Sequence, residues 1–375
     1  MNMKELPLST QEKVMLSLRG LYSSYGYIQF KMNKFEEYDL YARNKDFLIS
    51  DHVITFTDLN GKLMALKPDV TLSMVKNSKD LPDSLQKLYY VENVYRGDKG
   101  TGAFKEIMQV GLECLGCVDD YCLSEVLSLA AQSLLAMDRN CILDISHLGL
   151  LSDFVDAIGV TPDVKSTVFQ HIGAKNRHEL AAVCRGCGVS EDGIADLQKL
   201  IALSGTPDAV LTEISRVLGD RVDHSVIEHL QNIIRALPEG PGKEMLRFDF
   251  SVVDDFHYYN GLVFKGFVQG IPQSVLSGGQ YDKLMRKMGR TSDAVGFAVY
   301  MDMLERLDTS KKAYDVDVIL LYDAGDDLNN VRNQAEAMIQ SGSSVMVQRT
   351  VPENIRYRKL MKITGNEVTI LGNDA

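Results

Sequence analysis

The chain has 375 residues, 45% of them hydrophobic, six cysteines and a net charge of −11. That is enough for two or three hydrophobic cores; the acidity repels polyanions and counts against a main role in holding RNA, and no apolar run approaches the roughly 20 residues of a membrane span. The opening MNMKELPLSTQEK has neither an apolar core nor a cleavage-like site, so the expectation is a cytoplasmic protein with reduced thiols and with no membrane or nucleic-acid partner.

Ser9-Thr10-Gln11-Glu12 is a capping-box pattern, and Val14, Leu18, Leu21 and Tyr25 then recur at helical spacing as far as Gly26. A strand-like GYIQFKMNKF follows. The stretch HVITFTDLNGKLMALK reads as a hairpin turning at Asn60-Gly61. Pro68 holds Lys67 extended, which leaves Asp69 either to cap a short helix over 71–75 or to face a pocket.

The next stretch, 89–116, alternates with the period of paired strands. Tyr89, Val91, Asn93 and Tyr95 alternate with Tyr90, Glu92, Val94 and Arg96; beyond a glycine-rich loop, Met108, Val110, Leu112 and Cys114 alternate with Gln109, Gly111 and Glu113. One face of the second strand is apolar, while the other offers an amide, a bare backbone and a carboxylate. Spacing alone leaves two readings, a solvated face on a half-covered antiparallel sheet or the floor of a site for a ligand with an amine and a carboxylate. A helix over 120–137 and a strand, CILDISH, come after it.

From 149 to 242 the pattern is helical throughout, with Thr161-Pro162-Asp163 and Thr206-Pro207-Asp208 as helix starts. His147, His171, His178, His224 and His229 are scattered without the spacing of metal ligands. The CxxC pairs Cys114/Cys117 and Cys184/Cys187 lie about 65 residues apart, against the roughly 15–20 of a zinc ribbon, so no metal is expected. Phe248, Phe250 and Val252 alternate before Asp254-Asp255-Phe256-His257, two acids and a histidine that lack a third spaced ligand. Gly278-Gly279 reads as a turn permitting close backbone approach, Tyr281-Asp282 as the entry to a helix, and 292–307 as a small-residue strand running into a helix. The last piece, 314–375, is a compact α/β pattern with strands at 316–322, 344–348 and 367–371 around a helix at 329–340, which implies parallel pairing. No Ser/His/Asp elbow, Walker sequence or dinucleotide fingerprint occurs, and no cofactor is implied.

Taken in order, these motifs resemble the class II aminoacyl-tRNA synthetase catalytic fold, and its histidyl branch in particular. KPDVT at 67–71 is similar to that branch's arginine-proline-acid-x-threonine segment, and VYRGDKG…FKEIMQVGLECLG to its motif 2; HYYNGLVF at 257–264 and GGQYDKL at 278–284 resemble its histidine signatures, and AVGFAV at 294–299 the entry to motif 3. The resemblance implies an α/β (α+β) chain: a synthetase-like antiparallel sheet with flanking helices over 1–310, a helical insertion at about 149–242, and a shortened anticodon-binding-like domain over 314–375.

Departures from the pattern fall at the phosphate-handling positions. Met303 stands where motif 3 has its arginine, and Arg306 comes three residues late, about 4.5 Å of rise and roughly 300° of turn along an α-helix. Asp254 stands at the catalytic arginine of the first histidine signature, Ala103 and Asp98 reduce the motif 2 loop, and Asn33 takes the motif 1 proline place. An anion where the reacting phosphate needs a cation reverses the local field. The amino-acid end persists: Asp69, Gln109, Glu113, Tyr259 and Tyr281, with Tyr258 beside them, match the positions that hold the substrate's amine and imidazole, and Arg96 matches the motif 2 arginine.

This combination resembles the regulatory subunits of ATP phosphoribosyltransferase, synthetase paralogues without aminoacylation activity. The resemblance implies a short-form catalytic subunit as partner, self-association as a dimer, and histidine as effector in feedback inhibition of the first step of histidine biosynthesis. The alternative is a divergent synthetase-like ligase that activates histidine or another amino acid, with a relocated cation such as Arg306 replacing the missing clamp.

Overall fold

A computed structural model describes residues 8–48, 52–81, 83–97, 102–253, 258–307, 314–365 and 367–373. Contacts divide the chain into two units, Met1–Leu307 and Asp308–Ala375. Among the described residues no helix is long and apolar enough to cross a membrane.

The first unit is built on a sheet ordered Ile28–Gln29, Leu85–Gly97, Phe104–Gly116, Asp293–Tyr300, Leu276–Gln280, Leu262–Val268, Cys141–His147, Leu246–Asp249, Ser204–Gly205. From Leu85–Gly97 across to Cys141–His147 every pairing is antiparallel. Outside this run, Ile28–Gln29 pairs parallel with Leu85–Gly97 and Leu246–Asp249 parallel with Cys141–His147, while Ser204–Gly205 pairs antiparallel with Leu246–Asp249. Alternation decides what each face meets. Val110, Leu112 and Cys114 point with Val295, Phe297 and Val299 into the larger core, which takes its other half from the helices Thr10–Ser24 and Asp120–Leu135 and from the helical insertion. The opposite face is covered as well. A second cluster, including Tyr41, Val70, Leu72, Met74, Tyr90, Tyr258 and Tyr281, lies over it, so the reading as a solvated face does not hold.

Local signals set several boundaries. The capping box forms, with the Ser9 amide donating to Glu12 Oε2 at 2.8 Å and the Glu12 amide to Ser9 Oγ at 3.2 Å. Thr55–Thr57 and Leu63–Leu66 form the expected hairpin, with Gly61 at φ 79° in its turn. Phe35–Glu37 joins that hairpin as a third strand, so GYIQFKMNKF is divided between two sheets instead of forming one strand. The insertion carries helices as expected, but Ser204–Gly205 is a short strand pairing with Leu246–Asp249, which breaks the all-helical reading.

Two further expectations are corrected. Gly278 and Gly279 are not a turn; they lie inside the strand Leu276–Gln280. A Cβ on Gly278 would sit 2.4 Å from both the Gly296 carbonyl oxygen and Phe297 Cβ, and one on Gly279 would lie 2.6 Å from the Leu262 carbonyl oxygen. The close backbone approach is real, but it is made across the sheet. The segment Met301–Leu307 is a 3₁₀ helix, not an α-helix. Rise and rotation per residue are those of a 3₁₀ helix, about 2 Å with three residues per turn, so the α-helical rise and rotation expected between 303 and 306 do not apply.

In the second unit, Val316–Leu321 pairs parallel with Val345–Gln348 and with Tyr357–Thr364. Tyr357–Thr364 escaped the sequence reading because basic residues interrupt its apolar ones, and Glu367–Asn373 returns antiparallel to it. The helix Leu328–Gln340 packs Val331 and Ala335 against Leu320 and Ile363.

A methyl group at Gly278 has no room to form without moving two strands. Gly278→Ala is expected to cost about 1–3 kcal/mol in chemical denaturation; an unchanged midpoint would show that the strands separate more freely than this packing allows.

Candidate functional site

The register of the sheet assembles the site's floor. Glu113 pairs with Gly296 on one side and Leu88 on the other, Gly111 with Ala298 and Tyr90, and Gln109 with Tyr300 and Glu92. Residues 109, 111 and 113 share one face because the strand period is two. Glycine is needed where side chains cross this floor. A Cβ on Gly111 would stand 2.4 Å from the Tyr90 hydroxyl, and a Cβ on Gly296 would occupy the place of Glu113 Oε2.

Glu113 is 2% exposed. Its Oε2 accepts a 2.6 Å hydrogen bond from the Tyr281 hydroxyl and its Oε1 a 2.9 Å bond from Thr71 Oγ1. Burial pushes its carboxyl up to about 8; the bonds from Tyr281 and Thr71 oppose the rise and the charge of Asp69 adds to it. Asp69 both caps and faces the pocket. Its Oδ1 accepts from the Leu72 amide at 2.8 Å, starting the helix Val70–Asn77, and burial raises its pKa against the pull of Arg96 and the helix amides. Arg96 Nη2 stands 3.9 Å from Asp69 Oδ2, while its Nε donates to the Pro68 carbonyl at 2.8 Å. Lys67, fully buried, is taken by Glu92 at 2.8 Å. Cations are thus assigned to Asp69 and Glu92, whereas among the described residues the donors to Glu113 are hydroxyls.

Aromatic rings close the other side. Tyr258 lies 4.8 Å from Tyr259 and 5.7 Å from Tyr281, centroid to centroid, and 6.1 Å from Phe47. The cavity is about 210 Å³, and Asp69, Arg96, Gln109, Glu113, Tyr258, Tyr259 and Tyr281 all line it. Chemically this is a small, aromatic-walled pocket with a buried acid whose ionised form is disfavoured by burial.

A second cavity, of about 280 Å³, adjoins the first, sharing Arg96, Ser277 and Tyr300 with it. Met303 lines this second space together with Lys265, so a thioether occupies the place where the resemblance puts a phosphate clamp. Asp254, the other departure, lies outside the described residues, as do Asp255, Phe256, His257 and Asp98.

Thr71, Tyr90 and Gly296 are parts of the site that residue-by-residue reading missed. Tyr90 and Gly296 could have been found by extending the two-residue alternation across the neighbouring strands; Thr71 follows Asp69 on the first turn of its helix. The histidines have local tasks: His147 Nδ1 accepts the Leu150 amide, with burial pushing its pKa down to about 4, and His229 Nδ1 lies 2.8 Å from Asp120 Oδ1. Cys114 Sγ is 3.0 Å from the Tyr27 hydroxyl, and Cys187 Sγ donates to the Cys184 carbonyl. Among the described residues no group of three or more His, Cys, Asp or Glu side chains could hold a metal ion.

An antiparallel sheet with a small acidic, aromatic-walled pocket on its covered polar face defines the class II synthetase-like class of protein. A sequence profile described as histidyl-tRNA synthetase matches residues 6–304, and the chain belongs to that family. It is 25% identical over 299 residues to an ATP phosphoribosyltransferase regulatory subunit of Oceanobacillus iheyensis, covering 79% of this chain and 73% of that one. The fold is similar to an ATP phosphoribosyltransferase regulatory subunit/histidyl-tRNA synthetase from Bacillus halodurans, with a TM-score of 0.75 at 20% identity over 96% of this chain and 98% of that one. It is also similar to a chain of an ATP phosphoribosyl transferase (HisG:HisZ) complex from Thermotoga maritima, with a TM-score of 0.61 at 20% identity over 79% and 98%.

Glu113 makes a signed prediction about stability. Its folded pKa of about 8 lies above its ordinary 4.5, so the proton it holds favours the folded state at low pH, and that contribution is lost as pH rises from 4.5 through 8. Glu113→Gln, which cannot ionise, should therefore match the parent near pH 4 and exceed it by roughly 4 kcal/mol at pH 8. A stability difference that does not vary with pH would refute the assignment.

Proposed function

We propose that this chain is the regulatory subunit of an ATP phosphoribosyltransferase, required together with a short-form catalytic subunit for the first step of histidine biosynthesis, and that histidine bound in the Glu113 pocket is its feedback inhibitor. The observation that carries the reading is the pairing of an intact amino-acid pocket with Met303 at the clamp position. The names of the relatives supply the pathway and the partner.

In this reading the imidazole or amine of histidine gives Glu113 the cation it lacks, and the tyrosine rings enclose the side chain. Charge–charge attraction in such a buried place is stronger than in water, so deprotonating Glu113 is offset by the new contact. The pocket has room for an amino acid and little more. The chain acts in the cytoplasm as a non-catalytic subunit, without aminoacylation. Arg96 and Lys265 border the second cavity, but the motif 3 cation that adenylate formation would use is absent from position 303.

Self-association belongs to the same proposal. Phe35 and Phe56 meet edge-on at 5.6 Å on one face of the three-stranded sheet and are 48% and 38% exposed, a surface suited to a second copy of the chain. Replacing both by glutamate should convert a dimer to a monomer in light scattering; a parent that is already monomeric, or a variant that stays dimeric, would remove this surface from the proposal.

Co-expression with a short catalytic subunit tests the main reading. The two chains should purify as a complex whose activity exceeds that of the catalytic subunit alone and falls with histidine, while the regulatory chain by itself shows no histidine-dependent ATP–pyrophosphate exchange. Robust exchange would favour the ligase reading instead. Within the complex, Glu113→Ala should abolish histidine inhibition and leave assembly intact; unchanged inhibition would move the effector site elsewhere.

A further inference from the structure

Tyr259 has a second exposed side. A cavity of about 490 Å³ lies between the first helices of the insertion, Leu148–Ala157 and Pro162–Gly173, and the segment that carries Tyr259 and Asn260. Its lining includes Leu148 and Phe169, both almost wholly buried in the core, and the charged residues Lys165, Lys283 and Asp153. Lys165 is held by Asp156 at 2.6 Å, but Asp156 is 54% exposed, and surface pairs of this kind contribute little and exchange partners readily. The helix Leu148–Ala157 also starts at this cavity, and its positive end adds to the field.

The wall shared with the Glu113 pocket is stiffly held. Tyr259 lines both cavities. Asn260 next to it donates to Asp282 Oδ2 at 3.1 Å, accepts the Lys283 amide at 3.3 Å, and through its own amide bonds the Gln280 carbonyl at 3.0 Å. Gly149 allows the insertion to pack this closely, since a Cβ there would lie 3.1 Å from the Asn260 carbonyl oxygen. Tyr259 touches Tyr258, whose ring neighbours Tyr281, the donor to Glu113.

We propose that this cavity is a second ligand site, for a small organic anion with a phosphate or carboxylate attached to a planar ring, and that its occupancy changes the affinity of the Glu113 pocket through Tyr259. The lysines meet the anionic group, and the Tyr259 ring takes the planar body. A bare oxyanion would leave most of the space unused. The site stands on its own lining; only the coupling rests on the histidine reading, and linkage makes it reciprocal.

Calorimetric titration of the full chain with phenyl phosphate, benzoate and inorganic phosphate tests the site. At least one ring-bearing anion should bind saturably and more tightly than inorganic phosphate, and the two ring compounds separate phosphate from carboxylate preference. The double variant Lys165→Ala/Lys283→Ala should weaken that binding at least about tenfold, with its thermal midpoint confirming that it folds. Failure of both ring compounds to saturate, or unchanged binding by the double variant, overturns the site. Histidine affinity measured with and without the saturating anion should differ by about threefold or more in the parent and not in the double variant; equal affinities overturn the coupling. A parent that binds the anion but not histidine would defeat the histidine reading and leave this site standing.

Discussion

The buried carboxyl of Glu113 is the constraint on which the pocket depends. It lies 2% exposed on a central strand, with hydroxyl bonds from Tyr281 and Thr71 and, among the described residues, no paired cation. Those two donors come from distant parts of the chain, and both must reach the same side of one strand. Gly296 is the cross-strand neighbour because a side chain there would take the space of the carboxylate. Tyr90 needs Gly111 opposite it for the same reason. A group that is costly to bury is thus given a fixed place by the bare backbone of Gly296 beside it and by two hydroxyl donors.

The walls of this pocket are tied to one another away from the ligand. Thr71 sits on the helix Val70–Asn77, and the carbonyls at the end of that helix, Val75, Lys76 and Ser78, accept from Arg290. Asp80 follows and accepts from the amides and hydroxyls of both Thr291 and Ser292, which lowers its pKa well below the carboxylate range. The next strand, Asp293–Tyr300, carries Gly296. The helix that positions Thr71 and the strand that makes room for Glu113 are therefore clasped together at one end, where neither touches the cavity. Such a scaffold holds its donors in place without depending on what occupies the site.

The neighbouring cavity departs from this conservatism. Met303 replaces a cation with a soft, apolar thioether, while Arg96 is drawn toward Asp69 and the Pro68 carbonyl. Recognition of an amino acid and stabilisation of a transferring phosphate are separable tasks. Here the residues that the resemblance gives to the first task line one cavity, and Met303 stands where the resemblance puts a clamp for the second.

Much of the fold was legible locally. The Ser9 to Glu12 box, the Asn60-Gly61 hairpin, the strand CILDISH and the paired strands at 85–116 all depend on residues within one or two turns of each other, whose propensities and spacing act before any tertiary contact. The residue types of the pocket were legible too, through the resemblance. The amino-acid sequence alone left open which side of the 104–116 strand is covered, because that is settled by Tyr281 bonding to Glu113 across 168 residues and by Tyr258 packing above it. It also misplaced Gly278-Gly279, since two glycines look the same in a turn and in a strand that needs close neighbours. It gave Met301–Leu307 the wrong helix, and with it the wrong rise and rotation per residue. Sequence determined the elements and the chemistry available to them; tertiary structure decided which polar groups lost their water, because burial is a property of what comes to lie opposite.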